Sequence, residues 1–466
     1  MGGFYENLKR YQDRIALISE NRETISYREL SKSIDSITEP MQIRKLAFLI
    51  CGNNIESISF YLGCLNKGIV PVLINQNITK ELYDTLLEQY KPTYLVMPKG
   101  WQSNPVMKHI LSYRSYEVLE TNFNVEYELN KDLALLLTTS GSTGSPKLVR
   151  QSYKNINHNA QSIAAYLEIN EDDRAITTMP MNYTYGLSII NSHLLKGATI
   201  ILNEYTLMNK EFWQLLQDEK ATTFGGVPYI YEMLKKLRFS KMNLPSLKYI
   251  TQAGGKLSKE MAEEFNTICE EKGIKLIIMY GQTEATARMA YLPWEKAREK
   301  AGSMGIAIPG GKFTLIDEEG NEIIEANITG ELVYTGENVT LGYAESYRDL
   351  SDGDINQGVL FTGDMARRDE DGFYYIVGRK KRFLKLFGNR INLDEVEGLL
   401  KREGYECACA GYDDHMQIYS TSKSMNEDIK SFVSQLTHIH PSAFEMRYID
   451  EIPRNEAGKI LYSALK

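Results

Sequence analysis

LKYITQAGGKLSKEMAEEFNTICEEKGIKLIIMYGQTEA, residues Leu247–Ala285, is the stretch on which the fold turns. LKYITQAGG reads as a strand, because apolar and β-branched residues run into a pair of glycines. A helix follows, with Ser258 as its N-cap and Gly273 as its stop. KLIIMYGQTEA is then a second strand opening into a polar loop. Strand, helix and strand at this spacing make a βαβ unit and predict an α/β protein with a largely parallel sheet. In such sheets the chemistry sits in loops beyond the carboxyl ends of the strands.

One other loop meets that description. LALLLTTSGSTGSPK (Leu133–Lys147) follows an apolar run with the hydroxyls of Thr139, Ser140, Ser142 and Thr143, the glycines Gly141 and Gly144, and Lys147. Glycine lets backbone N–H groups approach a phosphate, and hydroxyls and a lysine add donors and charge. Taken alone, the string also reads as a Ser/Gly-rich surface turn. It departs from the Walker pattern, since Pro146 stands where a glycine should precede the lysine, and this disfavours a P-loop fold.

Composition bounds what surrounds these loops. A chain of 466 residues exceeds the about 250–300 residues at which a single core stops growing, so at least two domains are expected. A hydrophobic content of 43% and a charged content of 24% suit an ordinary soluble globular protein. The net charge of -8 gives no basic footprint for nucleic acid. Five scattered cysteines without a CxxC pair argue for reduced thiols and a cytoplasmic setting. MGGFYENLKRYQDR lacks a signal-peptide core, and no apolar run is long enough for a membrane span. After Gly378 the chain turns densely basic (RKKRFLK) and then short α+β in pattern. This predicts an N-terminal domain over 1–380 and a small C-terminal domain over 381–466.

TTSGSTGSPK, YGQTEA (Tyr280–Ala285), FTGD (Phe361–Asp364), DGFYYIVGRKKRFLKLFGNRINLDEVE and PRNEAGK (Pro453–Lys459) occur in that order. Together they resemble the signatures of the adenylate-forming superfamily, which holds acyl- and aryl-CoA ligases, adenylation domains of peptide synthetases and firefly luciferase. The likeness runs over nearly the whole chain, and Leu148 replaces the glycine that usually ends the first signature. It implies a large N-terminal domain and a small mobile lid, with ATP, Mg2+ and CoA (or a phosphopantetheine arm) as cofactors and co-substrates. By resemblance Tyr280 stacks near the adenine beside Gly281, Thr283 contacts the α-phosphate and Glu284 holds the magnesium. Asp364 and Arg379 bind the ribose hydroxyls, and Lys459 bonds the carboxylate and phosphate during adenylation. Lys381 takes the hinge position. After lid rotation a face around Lys385, Gly388 and Asn389 meets the thiol. As isolated residues, Thr283 and Glu284 read more often as a helix cap and its capping-box partner, and their position directly after an apolar strand favours the functional reading.

MPMNYTYGLS (Met179–Ser188) aligns with the family's acid-binding segment, which puts Tyr183, Thr184 and Gly186 at the pocket. Amino-acid-activating relatives carry an aspartate near Thr184. None stands here, and an unpaired buried ammonium is costly, so an α-amino acid is disfavoured. The tyrosines and Met181 suggest an apolar or aromatic acid, or else core filling. Gly254 and Gly255 let backbone approach the adenine or acyl chain. Lys256 is either exposed or the partner of a second negative charge on the acid. The lid is short for the family, which keeps an acyl carrier protein open as an alternative acceptor, docked on Lys380 and Arg382. Those two residues also read as a plain solvated basic face. Cys407 and Cys409 read as small residues on a strand, with no structural metal. The expected function is formation of an acyl-adenylate followed by acyl transfer to a thiol. The rival of another class is an inactive nucleotide-binding regulator on the same fold.

Overall fold

The computed structural model describes residues 3–101, 107–123, 125–138, 147–387, 389–454 and 460–465. Packing divides the chain into two compact units, Met1–Lys312 with Thr335–Leu360, and Phe313–Tyr334 with Phe361–Lys466. No helix among the described residues is long and apolar enough to cross a membrane.

In the first unit the βαβ element forms as its sequence dictates. Strands Tyr249–Gln252 and Lys275–Tyr280 pair in parallel, from Tyr249 opposite Lys275 to Gln252 opposite Ile278. Between them runs helix Lys259–Lys272, where the Ser258 hydroxyl accepts from the Met261 N–H and Gly273 closes the end at φ 68°. Gly273 supplies the left-handed conformation that stops the helix without a Cβ penalty. These strands belong to a nine-stranded sheet with a parallel centre and antiparallel edges.

A second, eight-stranded sheet has Leu133–Thr138, Val70–Asn75, Leu46–Cys51 and Tyr94–Pro98 as its parallel centre. Leu46–Cys51 (LAFLIC) is buried at every position, as an unbroken apolar run must be when both faces of a parallel strand are covered. Helices Tyr27–Thr38, Ile55–Lys67, Tyr153–Tyr166 and Thr184–Leu195 supply Leu30, Ile58, Ile156 and Leu187 to one core cluster. That cluster also holds Ile200 of the first sheet and Leu49 of the second. The main core therefore lies between the two sheets.

The second unit is α+β. Its four-stranded sheet has the order Gly311–Ile316, Thr329–Gly336, Val359–Arg368, Tyr374–Arg379. A hairpin (Phe383–Leu386 with Asn389–Asn392), helix Leu393–Arg402 and a three-stranded sheet complete it. Leu386, Val396, Cys409, Ile418 and Val433 share its core. Cys407 and Cys409 are both buried on strand Cys407–Tyr412.

The packing division differs from a boundary at 380/381, because residues 313–334 and 361–380 pack with the C-terminal part. Within the basic run Lys380 and Lys381 are exposed, and only Arg382 departs from the solvated face that the composition suggests. The Arg382 side chain is 11% exposed and meets Asp394 at 2.8 Å and Glu397 at 2.6 Å. Lys380 pairs with Glu331 at 2.7 Å.

Candidate functional site

The segment that resembles the family's acid-binding stretch turns at Met179–Asn182 into helix Thr184–Leu195, with Tyr183 at its N-cap. Gly186 is needed for that turn, since a Cβ there would stand 2.3 Å from the Pro180 carbonyl oxygen. The Tyr183 ring runs toward Gly254, whose φ is +80° and whose added Cβ would lie 2.6 Å from the Tyr183 hydroxyl. The glycine thus makes room for the ring. Gly255 packs beside Pro228. Tyr185 is buried, its hydroxyl donating to the Thr251 carbonyl at 2.8 Å and accepting from the Gly226 N–H at 3.1 Å.

Two small cavities flank this helix, each of about 10 Å³, which is room for roughly one water. One is lined by Ser188, His193, Tyr249, Thr251, Met279 and Arg288, among others. The other touches Thr184, Thr286 and Ala287. No Asp or Glu lines either cavity. His193 donates through Nδ1 to the Ile189 carbonyl at 2.8 Å and accepts from the Tyr249 hydroxyl at 3.2 Å through Nε2. Burial pushes its pKa down to about 4, so the ring is neutral at physiological pH.

Arg288 supplies the cationic side of this pocket. It is 3% exposed, its guanidinium carbon lies 4.0 Å over the Tyr185 ring, and its Nε finds no acceptor. Burying a guanidinium without an anion costs several kcal/mol, against about 2 kcal/mol or somewhat more returned by a desolvated cation–π contact.

The second loaded loop leaves strand Lys275–Tyr280 and forms a short 3-10 helix, Thr283–Ala285. No side-chain cap bond forms there, so Thr283 and Glu284 are not a cap and its partner. Tyr280, Gly281, Thr283 and Glu284 are all half-buried. Next comes a tight γ-turn: the Ala287 N–H donates to Ala285 O at 2.7 Å across Thr286 at φ 64°, ψ −60°. That conformation is rare and strained for a β-branched residue. The turn folds the chain back onto Gly281, where an added Cβ would stand 1.7 Å from Ala287 O. Asn338 fastens it by donating to Ala285 O and Arg288 O, both at 2.9 Å. Thr340 donates twice to Glu284 O, and the Tyr343 hydroxyl donates to the Glu284 carboxylate at 2.5 Å. In the same segment Glu345 pairs with Lys147. Lys147, Tyr343 and Glu284 are therefore gathered around Tyr343–Glu345. Thr139, Ser140, Gly141, Ser142, Thr143 and Gly144 lie outside the described residues, as do Gly388 and Lys459.

In the second unit, Asp364 and Arg379 are directly opposed on adjacent antiparallel strands. Arg379 Nε stands 3.3 Å from Asp364 Oδ1, with the aspartate side chain 6% and the arginine 65% exposed. A buried acceptor behind an exposed donor suits a diol. Lys381 sits in the short 3-10 helix Lys380–Arg382. Lys385 is exposed near the tip of the hairpin, whose backbone is gripped by two aspartates. Lys385 N donates to Asp413 at 2.8 Å and Phe387 N to Asp414 at 2.7 Å.

The sequence reading missed Arg288, His193, Asn338 and Tyr343. One signal was available for the first: an arginine four residues beyond Glu284 that interrupts an otherwise small and apolar run, ATARMAYL. Lys256, the cation singled out instead, is exposed.

The family model of AMP-binding enzymes matches residues 4–344. The 2-succinylbenzoate–CoA ligase of Bacillus pumilus is 26% identical over 481 residues, covering 97% of this chain and 95% of that protein. A probable CoA ligase of Humulus lupulus is 29% identical over 356 residues, covering 72% and 64%. Among solved structures, the O-succinylbenzoate coenzyme A synthetase of Bacillus subtilis in complex with AMP superimposes with a TM-score of 0.81. It does so at 22% identity over 100% of this chain and 98% of that one, which speaks for the fold.

Proposed function

Because this chain belongs to the family of AMP-binding enzymes, we propose that it is an acid–CoA ligase acting on an aryl keto acid of the 2-succinylbenzoate type. In the first half-reaction a carboxylate oxygen attacks the α-phosphorus of ATP. The bond to the β-phosphate bridging oxygen breaks, and acyl-AMP and pyrophosphate form. In the second, the CoA thiol loses its proton and adds to the acyl carbon, and AMP leaves with the electron pair of the C–O bond. Both halves bring anions together, so the residues proposed for the site are donors and cations.

Lys147, with Thr139, Ser140, Gly141, Ser142, Thr143 and Gly144, is assigned to the β- and γ-phosphates. Thr283 is assigned to the α-phosphate, Tyr280 and Gly281 to the adenine, and Asp364 and Arg379 to the ribose. Glu284 offers a half-buried carboxylate oriented by Tyr343, a donor that fits Mg2+, which takes one or two carboxylates beside phosphate oxygens. When bound there, the ion would neutralise charge on the departing pyrophosphate. Lys459 is assigned to the carboxylate and α-phosphate in the adenylating arrangement, Lys381 to the hinge and Lys385 to the thiolation face.

The acid class rests on one observation above the others: neither cavity beside helix Thr184–Leu195 has a lining carboxylate, and one of them is walled in part by Phe224 and Tyr249. An α-amino group would have no partner there. CoA is preferred to a carrier protein because, of the two cations offered for a carrier, Arg382 is 11% exposed and held by Asp394 and Glu397, and the exposed Lys380 is paired with Glu331.

The test is pyrophosphate release with ATP, Mg2+ and a panel of aryl, aliphatic and amino acids, with hydroxylamine as acyl trap, followed by thioester analysis with CoA. Release with 2-succinylbenzoate that is lost in Lys459→Ala, and a CoA thioester from the wild type, are expected. Release with no acid in the panel refutes the enzyme assignment, and a thioester on a holo carrier protein but not on CoA reverses the acceptor.

A further inference from the structure

We propose that Arg288 is the receptor for a second carboxylate on the acid, so that this enzyme selects dicarboxylic acids. This deepens the reading above and rests on it: 2-succinylbenzoate carries one carboxylate to be adenylated and another on its ring.

The geometry builds a receptor and leaves it without an anion. The backbone of Arg288 is held from three sides. Its N–H donates to Asn159 Oδ1 at 3.4 Å, and its carbonyl accepts from Asn159 Nδ2 at 3.0 Å and from Asn338 Nδ2 at 2.9 Å. The strained turn at Thr286 precedes it directly. From this fixed base the side chain enters an aromatic enclosure. Tyr185 lies under the guanidinium, and the hydroxyls of Tyr166 and Tyr183 both feel its charge. Tyr166 is itself stacked on Tyr291 with ring centroids 4.3 Å apart.

Among the described residues no carboxylate reaches the guanidinium, its Nε has no acceptor, and it borders the cavity shared with His193 and Tyr249. His193 is uncharged there, so the positive charge of that cavity is Arg288's alone. A cation–π contact and a phenol do not offset the desolvation of a guanidinium, whereas a bidentate carboxylate matches its fork and restores the charge balance. The cavity has room for roughly one water, so admitting the distal carboxylate to the guanidinium would require its walls to widen. Thr283 and Glu284 stand at the other end of the same loop, where the proximal carboxylate has to be. Lys256 is exposed and takes no part.

The experiment compares matched acids that differ by one carboxylate, 2-succinylbenzoate against 3-benzoylpropionate and phthalate against benzoate. The readouts are pyrophosphate release and calorimetric binding in the absence of ATP. The wild type is expected to prefer the diacid by at least about 30-fold in kcat/KM, the size of a desolvated charge pair. Arg288→Gln should collapse that preference at least tenfold, mainly through KM, and Arg288→Lys should restore part of it. The wild-type comparison needs no variant, so poor folding of Arg288→Gln leaves the proposal testable. Release with monoacids as good as with diacids overturns the proposal and leaves the ligase reading standing. Release with no acid removes both. A diacid preference that persists in a folded Arg288→Gln also overturns it.

Discussion

The guanidinium of Arg382 lies 3.7 Å from the centroid of the Tyr462 ring, which ties the basic run after Arg379 to the last turn of the chain. Glu397 completes the contact, meeting Arg382 at 2.6 Å and accepting from the Tyr462 hydroxyl at 2.7 Å. Tyr462 stands three residues beyond Lys459, so this cluster anchors the segment proposed to deliver the adenylation lysine.

Arg382→Leu is expected to destabilise the C-terminal unit by about 3–5 kcal/mol, because Glu397 would remain buried without its cation. Replacing Arg382 and Glu397 together by apolar residues should recover much of that loss. Burial already pushes the Glu397 carboxyl above its usual range, with Arg382 pulling it back. Without the arginine its folded pKa rises further, so the defect should be largest at neutral pH and ease as pH falls and the carboxyl protonates. Urea unfolding of the full chain at two pH values checks both statements.

Gly254→Ala should impair acid binding. The new methyl would meet the Tyr183 hydroxyl at 2.6 Å in a backbone conformation, φ +80°, that alanine resists. The strain is worth about 1–2 kcal/mol. The expected signature is a KM for the acid raised roughly tenfold with a smaller change in KM for ATP. Equal changes in both constants would mean a general loss of structure.

Tyr343→Phe removes the hydroxyl that orients Glu284. Loss of such an outer partner typically costs about 10–100-fold in metal affinity or activity. The Mg2+ concentration for half-maximal pyrophosphate release should rise by about that factor, and a titration with ATP held saturating reads it directly.

His193 makes stability depend on pH. Its folded pKa of about 4 lies below the 6.5 of the unfolded chain. Above pH 6.5 both states hold the neutral ring and nothing is lost. Between 6.5 and 4 the unfolded chain takes up a proton that the folded protein refuses, and stability falls by about 3 kcal/mol across that window. His193→Gln should flatten the slope between pH 7.5 and pH 5 in thermal unfolding, even if its midpoint at pH 7.5 is lower.

Local signals in the sequence were legible. Ser258 and Gly273 mark the ends of helix Lys259–Lys272 because capping is decided within a few residues. The residues proposed for phosphate and adenine could be singled out for a similar reason, since those assigned to one ligand group are contiguous in the chain. What stayed hidden depends on distant partners. Lys380 and Lys381 are exposed as their composition suggests, but Arg382 is covered by Asp394 and Glu397 of the next helix, which no local pattern shows. Residues 313–334 belong with the C-terminal unit through strand pairings that no local pattern announces. Arg288, His193 and Tyr249 come from separate elements, and only packing brings them to one cavity.

Arg150 is fully buried on strand Leu148–Ser152, which follows the proposed phosphate loop. Its guanidinium donates to the carbonyls of Leu341 at 2.9 Å, Tyr343 at 3.1 Å, Asp352 at 2.6 Å and Gly353 at 3.2 Å. In mechanical terms it is a rivet. Lys147 stands three residues before it, and Tyr343, which holds Glu284, is among the groups it clasps. A displacement of the strand behind the lysine must drag the tyrosine with it. The spacing between the lysine and the carboxylate is then set by one rigid joint and need not be rebuilt at each turnover.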